Sequence, residues 1–302
     1  MATSHASAIT ITAPAKINLT LHICGRRADN YHLLDSLVVF AGAGDRITVS
    51  PANDLRLTIT GPFGAALASE PNNLVLRAAR LLAVTHNITR GADIVLEKNL
   101  PVASGIGGGS ADAAATLIAC GRLWGVNPMT LADHDIAAAL GADVPVCLRG
   151  IPAFMSGIGE IVQAAPALPG AWLVLANPGE PLATKAVFAA LAGRFSAAMA
   201  RDAFKNLADT ESLAKTLKLY SNDLMPPALE ILPAIAPVLA ALEQASGCLL
   251  ARLSGSGPTC FGLFADAGAA DQAAASIAAA HPNWWVVPAP MLKAAPPLGI
   301  VS

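Results

Sequence analysis

Charged residues are scarce in this sequence. Asp, Glu, Lys and Arg make up 13% of its 302 residues, and the formal net charge at pH 7 is −2. Proteins that bind nucleic acid usually carry lysines and arginines in a basic patch or stripe. The low charge therefore argues against nucleic acid as a partner. Any phosphate bound by this chain must be held largely by backbone N–H groups and a few chosen cations.

The sequence also lacks the patterns of disulfides, zinc sites and membrane spans. Its five cysteines are odd in number, scattered and without a Cys-x-x-Cys pair, and its six histidines have no metal-ligand spacing. We therefore expect reduced thiols and no structural zinc. The N-terminus lacks the charged and apolar regions of a secretion signal, and the most apolar stretch, residues 231–242, is short and contains Pro233 and Pro237. These features favour a cytoplasmic protein that does not enter a membrane.

Glycine, in contrast, is concentrated in one place. Residues 105–109 contain four glycines, and Ser110 and a run of strong helix formers over residues 111–124 follow them. Glycines allow a backbone to approach a ligand closely, and a helix N-terminus offers free N–H groups and the positive end of a dipole. With Ser110 as the N-cap, the segment predicts a phosphate-binding loop. A tight turn before a capped helix is the simpler alternative, but four glycines favour a ligand.

Two common phosphate loops are excluded by the residues around these glycines. No Gly-Lys pair occurs in the sequence, so the lysine of a P-loop is missing. The third glycine of a dinucleotide fingerprint is replaced by Ser110, and no acidic residue follows at the distance that a ribose contact needs.

Strand-like and helix-like segments alternate along both halves of the chain, which predicts an α+β fold. Residues 8–23 alternate between apolar and polar side chains, as in a strand or a strand pair broken near Pro14. Helical spacing predicts helices over residues 131–140, 227–245 and 267–280, among others. Prolines and a glycine over residues 162–172 mark the best candidate for a domain boundary.

Three further groups of residues are candidates for chemistry. Residues 254–259 form a second glycine-rich turn, which alone is a hairpin connection but together with the first loop suggests one ligand between two loops. Asp143 lies among apolar residues, either as a turn aspartate before a proline or as a partly buried charge for which Lys16 is a candidate partner. Tyr31 and His32 suit a stacked base, or equally a surface loop with a half-buried ring.

Taken together, three blocks of sequence resemble the GHMP small-molecule kinases. They are residues 13–19 continuing to the Tyr31-His32 pair, residues 101–115 with 141–145, and residues 254–264. The lysine block with the Tyr-His pair is most similar to those members that phosphorylate a cytidine diphosphate derivative of methylerythritol. The resemblance covers nearly the whole chain.

The resemblance implies a fold and an activity. The fold is α+β with two domains, a ribosomal-protein-S5-like domain over residues 1–165 and a ferredoxin-like domain over residues 166–302, with the site in the cleft between them. The activity is ATP-dependent phosphorylation of a small-molecule hydroxyl in isoprenoid precursor synthesis, with Mg²⁺ bridging the phosphates. The expected partners are this small-molecule substrate and, at most, a second copy in a weak homodimer, without nucleic acid or membrane.

The resemblance also implies residue roles. Lys16 and Asp143 would be the catalytic pair, with the carboxylate orienting the acceptor hydroxyl and taking its proton late. Ser110 is the candidate Mg²⁺ ligand. ATP would be held by Lys98 and by Pro101, Val102, Ala103, Ser104, Gly105, Ile106, Gly107, Gly108, Gly109, Ser110 and Ala111. The substrate would be held by Asn18, Tyr31, His32, Thr184, Phe188, Gly255 and Ser256.

Some positions depart from the commonest pattern of the family. Asn30 stands where a glycine usually precedes the Tyr-His pair, although asparagine tolerates the left-handed region. Ala103 and Ser104 replace more glycine-like residues, and Ile106 replaces leucine.

The sequence leaves two alternatives open. One is another kinase of the superfamily, acting on mevalonate, homoserine or a sugar, which would not need a cytosine site. The other is a non-catalytic nucleotide-binding regulator on the same fold, which would be expected to lose Lys16 or Asp143. Both residues are present.

Overall fold

The structure is a computed structural model that describes residues 8–67, 72–127, 135–191 and 193–294. Strands and helices are mixed in both halves, which confirms the predicted α+β class. The strands are β1 (Ile9–Asn18), β2 (His22–Arg26), β3 (His32–Ala52), β4 (Leu55–Thr60), β5 (Gly91–Glu97), β6 (Ala153–Gly157), β7 (Ile161–Ala164), β8 (Trp172–Asn177), β9 (Leu250–Leu253), β10 (Cys260–Phe264) and β11 (Trp285–Leu292). The α-helices are α1 (Leu74–Thr85), α2 (Gly108–Trp124), α3 (Asp135–Leu140), α4 (Val144–Arg149), α5 (Thr184–Ala189), α6 (Thr210–Leu217), α7 (Met225–Ile231), α8 (Ile235–Gln244) and α9 (Ala267–Ala280).

These strands form one continuous sheet across both halves of the chain. Its main order is β4-β5-β3-β11-β8-β10-β9, and the 21-residue strand β3 also pairs with β1, β2 and β6. All pairs are antiparallel except the parallel pair β4 and β5. Strand β11 joins the halves, because it pairs with β8 along most of its length and with β3 at Met291 and Leu292.

Helix α2 packs on this sheet and carries the glycine loop at its N-terminus. Residues 111–121 of the helix are all buried, and most are alanine or another small residue. Small side chains let the helix lie close to β1 and α1 in one shared core. This packing fixes the direction of the helix N-terminus, which the neighbouring loop then presents to the cleft.

The predicted N-cap of this helix is wrong. Ser110 lies within the first turn, since the helix begins at Gly108 and its cap is Gly107 in the left-handed conformation with φ of 65°. No side chain caps the helix. Its first backbone N–H groups are therefore available to a ligand rather than to a serine hydroxyl.

Two other boundaries differ from the predictions, and a third is tested only in part. The alternating segment 8–23 breaks after Asn18, and only a shift in register occurs near Pro14. The helix predicted over residues 227–245 is two helices, α7 and α8, because Pro233 cannot donate the next helical hydrogen bond. The helix predicted over 131–140 is seen as α3, while residues 131–134 lie outside the described residues.

The predicted boundary segment, residues 162–172, runs from the end of β7 to the start of β8. A division of the chain into residues 1–165 and 166–302 stays a prediction. Among the described residues, no helix is both long and apolar enough to cross a membrane.

Candidate active site

A cleft of about 1050 Å³ brings together residues from all three sequence blocks. Ile106 and Ala111 do not line it and are buried in the two cores beside it. The other predicted site residues all line the cleft: Lys16, Asn18, Tyr31, His32, Lys98, Pro101, Val102, Ala103, Ser104, Gly105, Gly107, Gly108, Gly109, Ser110, Asp143, Thr184, Phe188, Gly255 and Ser256.

The first glycine loop is shaped by residues in the left-handed region. Gly105 has φ of 75° and Gly107 has φ of 65°, and Ala103 has φ of 51°. For a non-glycine residue this conformation costs about 1–2 kcal/mol, so Ala103 stores some strain at the start of the loop. A Cβ on Gly105 would lie 2.5 Å from the Ser254 carbonyl oxygen, which is too close for any side chain. Only glycine therefore fits at position 105.

The second glycine loop lies directly against the first. Ser254 Oγ donates to the Gly105 carbonyl at 3.1 Å, and Thr259 N donates to the Ser104 carbonyl at 3.1 Å. Ser254 Oγ also accepts a hydrogen bond from Asn18 N at 3.1 Å. The two glycine loops and strand β1 are thus joined by hydrogen bonds where they line the cleft.

Lys16 and Asp143 form an ion pair beside the first glycine loop. Lys16 Nζ donates to Asp143 Oδ2 at 2.7 Å, across 127 residues of chain. The lysine side chain is 6% exposed and the aspartate side chain 35% exposed, so the pair faces the cleft mainly through the carboxylate. Asp143 stands at the N-cap of α4, and Lys16 N is anchored to the Ile106 carbonyl at 2.9 Å. The predicted contact between these residues is confirmed.

Asn18 lies two residues after Lys16 on β1, and only one of the two polar atoms of its side chain forms a hydrogen bond in the described structure. Its Nδ2 donates to Ser36 Oγ at 2.8 Å, whereas Oδ1 is buried and has no hydrogen-bond partner in the described structure. A Cβ on Gly255 would lie 3.5 Å from Oδ1, so this oxygen points toward the second glycine loop. A buried acceptor without a partner is costly unless a ligand satisfies it.

Three rings lie at one end of the cleft. The rings of His32 and Phe188 are 5.1 Å apart, and Tyr31 is 59% exposed beside them. Burial and the nearby charge of Arg26 lower the pKa of His32 below its usual range. The imidazole is therefore neutral at pH 7, and it can both donate and accept hydrogen bonds. Asn30 before Tyr31 adopts φ of 73°, as its replacement of a glycine predicts.

Comparison with known proteins shows the family. The profile of the GHMP kinases N terminal domain matches residues 73–151, and that of the GHMP kinases C terminal domain matches residues 200–283. The chain is 54% identical over 287 residues to 4-diphosphocytidyl-2-C-methyl-D-erythritol kinase of Paramagnetospirillum magneticum, covering 95% of this chain and 100% of that protein. It is 57% identical over 282 residues to the same enzyme of Cereibacter sphaeroides, covering 93% and 98%. The chain belongs to the 4-diphosphocytidyl-2-C-methyl-D-erythritol kinase family of the GHMP kinases.

A solved structure supports this assignment. The crystal structure of a 4-(cytidine 5'-diphospho)-2C-methyl-D-erythritol kinase aligns with a TM-score of 0.76 at 32% identity, covering 94% of this chain and 100% of that chain. As a GHMP kinase, the protein is a small-molecule phosphotransferase that uses ATP.

Lys98 has two partners that sequence reasoning missed. Its Nζ is buried and donates to Asp112 Oδ2 at 2.7 Å and to Asp45 Oδ2. Asp45 Oδ1 also accepts from Leu100 N at 2.8 Å, which fixes the chain just before the glycine loop of this GHMP kinase. Spacing gave no signal for these contacts, since Asp45 is 53 residues from Lys98.

The carboxylate of Asp112 is buried, one of its oxygens lacks a hydrogen-bond partner in the described structure, and its pKa is raised. Its Oδ1 is buried and has no partner within the described residues, and its side chain lines the cleft. Burial raises the pKa of Asp112 to about 7, with Lys98 opposing the shift and Asp45 adding to it. The acid lies in the second turn of α2, next to the loop.

The cleft also has an apolar end that the sequence analysis did not predict. Gly109 faces it, since a Cβ there would lie 3.5 Å from Leu74 Cδ1. Its lining comes from the segment before α1 and from the first turn of that helix: Leu67, Asn73, Leu74 and Val75. Lys185 on α5 is a further lining residue without a sequence signal.

Proposed function

We propose that this protein transfers the γ-phosphoryl group of ATP to the 2-hydroxyl of 4-diphosphocytidyl-2-C-methyl-D-erythritol, a step of the non-mevalonate route to isoprenoid precursors. One observation carries the proposal: the Lys16–Asp143 pair lies in the same cleft as a phosphate-binding glycine loop and a group of three rings. The substrate in the family's name joins a cytidine to an alcohol through a diphosphate. A cleft with a ring-lined end and a catalytic pair suits that molecule.

The glycine loop and the N-terminus of α2 hold the phosphates of ATP in this proposal. The loop offers backbone N–H groups without side chains in the way, and the helix adds the positive end of its dipole. The apolar residues Leu74 and Val75 would contact the adenine from the same side of the cleft. Lys98 is linked to the chain just before the loop through Asp45, and as a lining residue of the cleft it would also contact the nucleotide.

Asp143 orients the acceptor hydroxyl and accepts its proton. Phosphoryl transfer proceeds through a loose transition state, so positioning and charge stabilisation supply most of the rate. A carboxylate is too weak a base to deprotonate an alcohol early, and the proton therefore moves as the new bond forms. Lys16 holds the carboxylate in place and stabilises the charge that develops on the transferred group. Asn18 Oδ1, which lacks a partner in the described structure, accepts a hydrogen bond from the substrate.

Mg²⁺ fits the oxygen donors at the start of α2. The ion prefers one or two protein oxygens together with phosphate oxygens and water. Ser110 Oγ and Asp112 Oδ1 are the candidate ligands, because both residues line the cleft and Oδ1 has no other partner in the described structure. Held there, the ion would supply neutralisation of phosphate charge. Calorimetry of Mg·ATP and of metal-free ATP with Asp112→Asn tests the assignment: the variant should lose the Mg²⁺-dependent part of the affinity and keep the rest.

The ring-lined end holds the cytosine. Tyr31 offers an exposed face for stacking, while His32 can pair with the polar edge of the base. Thr184 Oγ1 and Ser256 Oγ share a hydrogen bond of 2.9 Å, and both residues line the cleft together with Gly255. This arrangement favours the cytidine substrate over mevalonate, homoserine or a sugar.

Release of ADP, measured with a coupled assay, tests the function. We expect turnover with the cytidine diphosphate substrate and none with mevalonate or homoserine under the same conditions. Asp143→Asn serves as the catalytically impaired control. Turnover with mevalonate alone would show a different GHMP kinase, and ATP binding without turnover of any acceptor would show a regulator.

We also propose that the protein acts in the cytoplasm as a monomer or a weak homodimer. Sedimentation velocity over a range of concentrations tests the oligomeric state. A single species at twice the chain mass at every concentration would contradict it.

A further inference from the structure

The cleft has few positively charged side chains for the negatively charged phosphates that the proposed reaction brings into it. Among the described residues, the lysines of the lining are Lys16, Lys98 and Lys185. Lys16 is paired with Asp143, and Lys98 is shared by Asp45 and Asp112. Each of these lysines thus already forms an ion pair with at least one carboxylate before any ligand enters, and less of its charge is left for the diphosphate of a second ligand.

Lys185 differs from the other two. Its side chain is exposed, and within the described part of the chain no carboxylate lies within ion-pair distance of it. Lysine is a compact charge on a flexible stem, which suits a phosphate whose position is set by other contacts. A cation that lines a cleft and is not paired is available to an anionic ligand.

The position of Lys185 places it near the ring-lined end of the cleft, where the acceptor substrate would bind. It lies next to Thr184, which is hydrogen-bonded to Ser256 at 2.9 Å. Residues three apart lie on the same face of a helix, so Lys185 shares a face of α5 with Phe188, whose ring contacts His32. The lysine therefore stands between the rings that would hold a base and the loop around Ser256.

We infer that Lys185 binds the diphosphate group of the acceptor substrate. This inference rests on the proposed function, in which a diphosphate links the cytidine to the alcohol. With the base between the rings and the hydroxyl at Asp143, the diphosphate has to cross the part of the cleft between them. Lys185 supplies the positive charge there, and it makes substrate affinity depend on the diphosphate as well as on the base.

Binding of nucleotides without turnover tests the role of Lys185. Calorimetry with cytidine and with cytidine diphosphate is carried out on the wild type, on Lys185→Gln and on Lys185→Arg. A charge-assisted hydrogen bond to phosphate is among the stronger polar contacts, so Lys185→Gln should weaken cytidine diphosphate binding about tenfold. Binding of cytidine should not change, and Lys185→Arg should retain most of the affinity for the diphosphate.

Steady-state kinetics add a second reading. Lys185→Gln should raise KM for the acceptor and leave KM for ATP and kcat within about twofold of the wild type. Lys215, an exposed lysine of α6 outside the cleft lining, provides the matched control, and Lys215→Gln should change none of these quantities.

Three outcomes overturn the inference. Unchanged cytidine diphosphate binding in Lys185→Gln removes the residue from the diphosphate site. A rise in KM for ATP instead of the acceptor assigns it to the other nucleotide. If the wild type binds neither cytidine nor cytidine diphosphate, the proposed function itself fails, and the inference fails with it.

Discussion

Gly107 lies directly against Lys16. A Cβ at position 107 would come within 3.1 Å of Lys16 Cβ and 3.3 Å of its Cε. The loop that would hold ATP and the lysine that pairs with Asp143 therefore occupy adjoining space, and a change in the loop is felt by the catalytic pair. In the proposed function, this contact couples nucleotide binding to catalysis.

Gly107→Val should impair both functions at once. A β-branched residue is strongly disfavoured at φ of 65°, and its methyl groups would push on the Lys16 side chain. We expect weaker ATP binding and a lower kcat in a protein that still folds, with a stability loss of about 1–3 kcal/mol. Gly170→Ala is the control, because a Cβ there meets nothing within 4 Å. Unchanged nucleotide affinity in folded Gly107→Val would contradict the loop assignment.

Asp143→Asn should lower kcat by about 10²–10⁴, the usual contribution of a general base. KM for both substrates should shift little, because the carboxylate acts mainly in the transition state. A turn aspartate without a catalytic role would instead leave kcat within a few fold, since asparagine favours the same turns. Asp202→Asn, which breaks a surface ion pair with Lys205, controls for general effects of charge removal.

Tyr31→Ala should raise KM for the cytidine substrate about tenfold or more, since stacking contributes about 1–3 kcal/mol per base. KM for ATP should stay near the wild-type value, and the melting temperature should not fall, because the ring is largely exposed. Equal effects on the two substrates would show that Tyr31 does not contact the base.

Asp112→Asn should change the stability of the protein in a pH-dependent way. The pKa of Asp112 is about 7 in the folded protein, whereas an unfolded aspartate has a pKa of about 4. The folded state thus binds this proton more tightly than the unfolded state does. Ionisation of Asp112 therefore favours unfolding, and the free energy of unfolding falls as pH rises from about 4 to about 7. The variant should match the wild type near pH 4 and be more stable at pH 8.

Urea unfolding at the two pH values measures this difference. Asp45→Asn is the matched control: asparagine keeps an oxygen for Leu100 N but turns an NH2 donor toward Lys98 Nζ, so it should destabilise the protein at both pH values. If Asp112→Asn is less stable than the wild type at pH 8, the ion pair with Lys98 outweighs the cost of burial.

Local signals in the sequence predicted the elements that local interactions determine. Helix α9 has the predicted bounds, residues 267–280, because Asp266 caps it through Ala269 N and alanines fill it. The first glycine loop is predicted for a similar reason, because four glycines within five residues mark it in the sequence itself. Spacing alone only makes Lys16 a candidate partner of Asp143, because 127 residues separate them and the fold is what brings the two side chains together.

The contacts around Lys98 depend on strand register and had no local signal. Strands β3 and β5 pair Arg46 with Glu97, and the residues next to these, Asp45 and Lys98, meet at the end of the ladder. A shift of one residue in this register would separate them. The sequence does not state which residues of two strands face each other, so the partners of Lys98 could not be predicted.

Strand β11 was missed because its residues argue against a strand. Pro288 and Pro290 lack backbone N–H groups, and prolines are rare inside sheets. Both prolines lie where β11 pairs only with β8, while pairing with β3 is confined to Met291 and Leu292. Met291 N donates to Ala171 O on the β8 side, so the nitrogens of Pro288 and Pro290 point away from β8 and no hydrogen bond to β8 is lost. On the other side, the Pro290 ring packs against Gly42 of β3, where a Cβ would lie 2.8 Å from Pro290 Cδ.

The place of β11 has a consequence for synthesis on the ribosome. Strand β3 is made early, β8 follows after the middle of the chain, and the strand that joins them is made only when residues 285–292 are translated. Until then the nascent chain carries two open strand edges, which can pair with other chains or be covered by chaperones. The halves that contribute Gly105 and Ser254 are joined through the sheet only after this point. The cleft formed where these two loops meet is therefore completed only after residues 285–292 have been made, rather than when the first glycine loop emerges.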